Sequence, residues 1–119
     1  SPVMPYIVVR DAEAFIKFIT SVFGAKEELR VDREEDGSVM HCEYSINGGT
    51  IMFAQSGGEW APFPCAMFLV VRDVDGLYQK GLDQGATGNQ EPGERGYGRA
   101  AGFIDPWGNQ WWLNDPEIL

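Results

Sequence analysis

The sequence predicts an α+β fold made of two tandem βαβββ modules. The leading observation is a repeat at about half the chain length. Tyr6-Ile7-Val8-Val9-Arg10-Asp11 is echoed by Phe68-Leu69-Val70-Val71-Arg72-Asp73, with Asp73 lying 62 residues after Asp11. Phe23-Gly24-Ala25 is echoed by Gln84-Gly85-Ala86 at an offset of 61 residues. The third observation is that strand-like and helix-like periodicities follow in the same order within each copy.

Each copy opens with a β-branched and aromatic run, which reads as a strand. Asp11 and Asp73 stand where a helix N-cap would, with Glu13 and Asp75 behind them to suit the positive helix end. Phe15, Ile16, Ile19, Val22 and Phe23 recur at helical spacing, as do Val74, Leu77, Tyr78 and Leu82. Gly24 and Gly85 fall where a left-handed residue ends a helix. Three strands follow in each copy: 27–33, 38–46 and 50–55 in the first, and 88–91 (the weakest), 98–104 and 110–114 in the second. Asn47-Gly48 predicts a two-residue hairpin turn, because both positions favour positive φ. Asp105-Pro106-Trp107-Gly108 predicts a second turn, with Pro near −65° and Gly closing it. The domain organisation is one domain over 1–119, with module 1 at 1–56, a Gly- and Pro-bearing linker at 57–64, and module 2 at 65–119. Neither module is large enough to fold well alone.

Composition narrows the function. The 119 residues carry 18 acids against nine bases, a net charge of −9. Nucleic-acid backbones demand a positive footprint, so a nucleic-acid partner is excluded. No apolar run is long enough for a membrane span, and the first residues lack a signal-peptide pattern. Two cysteines, Cys42 and Cys65, cannot build a disulfide scaffold and read as reduced core thiols. The expected location is cytoplasmic. Gly93-x-x-Gly96-x-Gly98 does not join a strand to a helix, so it is a loop rather than a dinucleotide site. Glu34-Glu35-Asp36-Gly37 reads as a solvated turn.

Taken in order, Val9-Arg10-Asp11 with Phe23-Gly24-Ala25, Val71-Arg72-Asp73 and Asp105-Pro106-Trp107-Gly108-Asn109 resemble the vicinal oxygen chelate superfamily. That superfamily includes glyoxalase I, bleomycin-resistance proteins and extradiol dioxygenases. Pro5-Tyr6, Val39-Met40-His41-Cys42-Glu43 and the run from Gly98-Arg99 to Asp105-Pro106 are most similar to its PhnB-like branch. The resemblance implies a curved, cup-shaped mixed sheet with helices outside, and a homodimer. It also implies four metal-ligand positions, which fall here on Met4, Met52, Ala66 and Trp112. None is a usual ligand for zinc, nickel, iron or manganese, so the expectation is no metal and no cofactor.

With Met52 on the inner face, the Asn47-Gly48 turn puts Glu43 opposite Met52, and His41 and Ser45 on the same side. The second turn is expected to place Phe103 opposite Trp112, bringing Ala101 and Arg99 to that face. Strand alternation adds Tyr6 and Phe68, while Ile7, Val9, Leu69, Val71, Trp111 and Leu113 pack beneath the helices. The candidate ligand-binding residues are thus Tyr6, His41, Glu43, Met52, Phe68, Arg99, Phe103 and Trp112, with Trp112 as the aromatic anchor. His41 and Glu43 are candidate catalytic residues as an acid–base pair. Alternatives are a structural histidine and a Glu43–Arg99 ion pair. Trp60 is a candidate cover for the cup or for a dimer interface.

The expected function is metal-free binding of a small aromatic or cationic molecule, in the manner of antibiotic sequestration. Alternatives are a metal-dependent lyase, isomerase or dioxygenase of the glyoxalase type, or a metal-free enzyme using His41 and Glu43.

Overall fold

A computed structural model describes residues 3–117 of the chain. It divides into two compact units, one running through Cys65 and the other starting at Ala66. Each holds a four-stranded mixed sheet and one helix, and neither sheet closes on itself.

In the first unit β1 (Tyr6–Val9), α1 (Ala12–Phe23), β2 (Lys26–Asp32), β3 (Val39–Ile46) and β4 (Gly49–Gln55) form a sheet of order β1-β4-β3-β2. The parallel β1–β4 pair needs a crossover, which α1 begins. Asp11 caps α1 by accepting from the Ala14 amide at 3.1 Å, and Gly24 ends it at φ 66°. The apolar stripe of α1 buries Phe15, Phe18, Ile19 and Val22. Phe15 meets Phe53 edge-on with ring centroids 4.9 Å apart, and Ile7, Val9 and Cys42 are buried on the same side of the sheet. Asn47 and Gly48 take φ of 51° and 83°, so the hairpin has the expected turn and Glu43 stands opposite Met52.

The segment expected as a linker joins the first unit. Val8 and Phe63 exchange backbone hydrogen bonds of 3.1 and 2.9 Å, so the chain doubles back along β1. A second bridge between Gly57 and Trp60 closes a small loop that carries the indole.

The second unit repeats the plan with β5 (Ala66–Val70), α2 (Val74–Asp83), β6 (Thr87–Glu94), β7 (Arg99–Ile104) and β8 (Gln110–Asp115), in sheet order β5-β8-β7-β6. Asp73 caps α2 by accepting from the Gly76 amide at 3.0 Å. The strand expected weakly at 88–91 runs through Glu94, even across Pro92. It is an edge strand with two register shifts against β7, where a missing N–H is tolerated. The glycine-rich loop is mostly a hairpin turn: Arg95 N–H donates to the Gly98 carbonyl at 3.0 Å.

The register of β7 against β8 differs from expectation by one residue. Ile104 pairs with Gln110, Phe103 with Trp111 and Gly102 with Trp112. The cause is Asp105, whose N–H donates to the Asn109 carbonyl at 2.9 Å and leaves a three-residue loop with Gly108 at φ 86°. A one-residue slip turns every side chain over. Phe103 and Ala101 therefore lie fully buried on the α2 side, where Phe103 packs against Gly81 and Tyr78. Trp111 and Leu113 are buried there too, as expected.

Candidate functional site

The open face of the first sheet, opposite α1, brings four of the expected residues together. Tyr6 stands beside Met52 across the parallel β1–β4 pair, and Met52 beside Glu43 across β3–β4. Tyr6 Oη lies 3.0 Å from His41 Nδ1, and His41 Nε2 lies 2.9 Å from a Glu43 carboxylate oxygen. The Tyr6 and His41 rings also stack, with centroids 5.6 Å apart. The tautomer that satisfies this chain puts the proton on Nε2, donating to Glu43, while Nδ1 accepts the Tyr6 hydroxyl. Burial raises the Tyr6 phenol above its ordinary value, with Arg33 pulling the other way.

A bulge widens this face. Val31 pairs with His41 and Asp32 with Val39, which leaves Met40 as the extra residue. Val39 is buried beneath the helix, whereas Met40 is exposed on the open side. There a cavity of about 590 Å³ is lined by Tyr6, Val8, Arg33, Met40, Ala54 and Trp60. That volume suits a small organic ligand, and the wall is mainly apolar and aromatic. An adjoining depression of about 370 Å³ shares Arg33 and Trp60 and adds polar residues, including Asp36 and Ser38.

Arg33 is the charged residue of the larger cavity, and sequence reasoning missed it as a site. It donates to the Ser38 hydroxyl at 2.8 Å and to the Gln55 carbonyl at 2.8 Å. Met40 was missed as well; its signal is the break in alternation between Val39 and His41.

The remaining expected residues lie in the second unit. Phe68 pairs with Trp112 on the open face of that sheet, where the indole lies over Gly102 and is 40% exposed. Phe103 is not on that face, for the register reason above. Arg99 is drawn to the helix side as well, donating to the Asp75 carboxylate at 2.6 and 2.8 Å. The alternative Glu43–Arg99 ion pair is therefore replaced by Glu43–His41 and Arg99–Asp75 pairs.

At the positions to which the resemblance assigns metal ligands stand Met4, Met52, Ala66 and Trp112, none of which is a usual donor to a divalent metal. Among the described residues, no group of three or more His, Cys, Asp or Glu side chains is placed to hold a metal ion. The donor set does not fit the metal chemistry of this fold.

The family model for the glyoxalase/bleomycin resistance protein/dioxygenase superfamily matches residues 2–113, and the chain belongs to that superfamily. An uncharacterized protein of Mycobacterium bovis is 33% identical, over 94% of this chain and 81% of its own. Among solved structures, TioX from a Micromonospora species superposes with a TM-score of 0.75 at 20% identity, covering 97% of this chain and 95% of that one. The PhnB protein of Bacillus cereus gives 0.74 at 19%, covering 96% and 98%. The fosfomycin resistance protein FosX of Listeria monocytogenes gives 0.72 at 19%, covering 94% and 90%. At such identities the structural likeness establishes the fold; the PhnB-like branch is one of several neighbours. No helix among the described residues is long and apolar enough to cross a membrane.

Proposed function

We propose that this protein binds a flat aromatic small molecule on the open face of its first module, without a metal. The observation that carries this reading is the cavity of about 590 Å³ between Tyr6 and Trp60, with Val8, Met40 and Ala54 as apolar wall. Aromatic side chains stack on planar ligands and supply contact area at small entropic cost. Occupation of the metal-ligand positions by thioether, methyl and indole groups supports the same reading. The lining charge is that of Arg33, which favours an aromatic ligand over the cationic one expected from net charge. Sequestration of an antibiotic by a cytoplasmic homodimer is the physiological setting we attach to it. The resistance proteins that share this fold support that setting by analogy.

The test is a thermal-shift and tryptophan-fluorescence screen with planar aromatic compounds, followed by calorimetry. Trp60→Ala should cost the best binder on the order of 1–3 kcal/mol, the range for an aromatic anchor. One metal per chain after purification without added metal, with melting temperature falling on chelation, would overturn the metal-free assignment.

One observation favours a second, enzymatic reading, the Glu43–His41–Tyr6 hydrogen-bonded chain. His41 can take the Tyr6 proton at Nδ1 while Glu43 stabilises the resulting imidazolium, so Tyr6 can exchange a proton with a molecule in the cavity. Under this reading, Tyr6→Phe abolishes turnover and retains ligand affinity.

A further inference from the structure

We infer that the ligand of the first module's cavity is a planar molecule bearing a carboxylate or an equivalent anionic group, and that Arg33 is the residue that holds that group. The inference rests on the cavity reading above and adds the ligand's chemical class.

Arg33 is set apart by lining the cavity with a charge that no carboxylate meets directly; Arg95, also held by carbonyl oxygens, is not among the lining residues. Acids outnumber bases two to one, and Asp32, Glu34, Glu35 and Asp36 crowd Arg33 in sequence. Elsewhere Arg30 pairs with Glu13 and Asp32, Arg72 with Glu117, and Arg99 with Asp75. Arg33 forms no ion pair among the described residues. Two neutral oxygens, the Ser38 hydroxyl and the Gln55 carbonyl, fix its guanidinium instead.

Ser38 also keeps Asp36 occupied. Its hydroxyl donates to Asp36 Oδ1 at 2.7 Å while accepting from Arg33, and its amide donates to the same carboxylate oxygen at 2.9 Å. The Asp36 charge therefore reaches Arg33 through a hydroxyl and not by direct contact. A guanidinium has five N–H donors, so three remain after the two fixed bonds. They belong to a side chain lining a cavity whose other walls are Tyr6, Val8, Met40, Ala54 and Trp60.

A planar fork held at two corners beside an indole matches the two oxygens of a carboxylate, with the ligand's flat body against Trp60. The net charge of −9 opposes an approaching anion, but at physiological salt that field is screened beyond roughly 8 Å. Specificity then depends on the local cation.

The experiment compares 2-naphthoate with its neutral counterpart 2-naphthamide by calorimetry at 150 mM salt, in the intact protein and in Arg33→Gln and Arg33→Lys variants. The intact protein should bind the acid at least about tenfold more tightly than the amide. Arg33→Gln should bring the ratio near one, and Arg33→Lys should keep part of the preference because charge survives and the fork does not. Equal affinities in the intact protein, or a preference that survives Arg33→Gln, would overturn the role of Arg33 and leave the aromatic cavity standing. Binding of neither probe would remove the cavity reading and this inference with it. Should Arg33→Gln fail to fold, the intact protein's ratio and the Arg33→Lys variant still decide.

Discussion

Asp105 should be among the most costly residues to replace in the second module. Its side chain is 3% exposed and its two oxygens accept four hydrogen bonds. Oδ1 takes the backbone amides of Trp107 and Asn109, each at 2.9 Å. Oδ2 takes the Asn109 side-chain amide and the Trp111 indole N–H, again at 2.9 Å each. Asp105→Ala strands at least the Trp111 indole and the Asn109 side-chain amide in a buried site, at roughly 1–3 kcal/mol for each donor left unpaired. The backbone amides add to this, and relief from burying the Asp105 charge subtracts, so the expected loss is about 3–5 kcal/mol. Against a typical domain stability of roughly 5–15 kcal/mol, that is a large share. Asp105→Asn keeps an oxygen for the two backbone amides. Asn109 can flip to meet the new amide, which leaves the indole as the main orphan, and the loss falls to about 1–3 kcal/mol. Urea unfolding followed by tryptophan fluorescence and far-ultraviolet dichroism measures both, with an unchanged m-value as the check on two-state behaviour. A cost below about 1 kcal/mol for Asp105→Ala would refute the claim that this carboxylate holds the turn.

Three further outcomes are expected. Gly81→Ala places a methyl 2.4 Å from the Phe103 ring, which is fully buried, so overpacking should cost about 1–3 kcal/mol in the same urea assay. Folding holds three carboxyls below their ordinary range: Glu13 by its hydrogen bond to Arg30, Asp75 by its hydrogen bond to Arg99, and Asp36 by Ser38. Depressed carboxyls contribute stability above their unfolded values and lose it as pH falls through the folded ones, so melting temperature should drop below about pH 4, and Asp75→Asn should flatten part of that slope. Burial pushes the Cys42 thiol up to about 11 and raises Cys65 as well, so both should resist iodoacetamide at pH 8 in the native protein and react after unfolding.

Much of the fold was legible because short, local chemistry decides it. Asp11 and Asp73 cap their helices as read, and Asn47-Gly48 fixes the first hairpin because two positive-φ residues allow one geometry. The shared face of His41, Glu43 and Met52 followed from that turn, and strand alternation added Tyr6. The second hairpin failed for a related reason. Pro106 and Gly108 signal a turn without fixing whether Asp105 pairs across it, and its side-chain bonds settle the loop length. Arg33 was hidden because its neighbours in sequence are acids, which give no sign of neutral partners. They turned out to be Ser38 and a carbonyl at the end of β4.

The extra residue at Met40 has a consequence for how such a site can change over generations. Val39 and His41 sit on opposite sides of the sheet, so removing Met40 would restore ordinary alternation without moving either one's side. Most single-residue insertions or deletions in a strand invert its packing; here one is absorbed in advance. The wall of the cavity can thus gain or lose a side chain while Cys42, Tyr44 and Ile46 stay buried against the helix side. That makes ligand preference in this module editable by changes in chain length, a route normally closed inside a β-sheet.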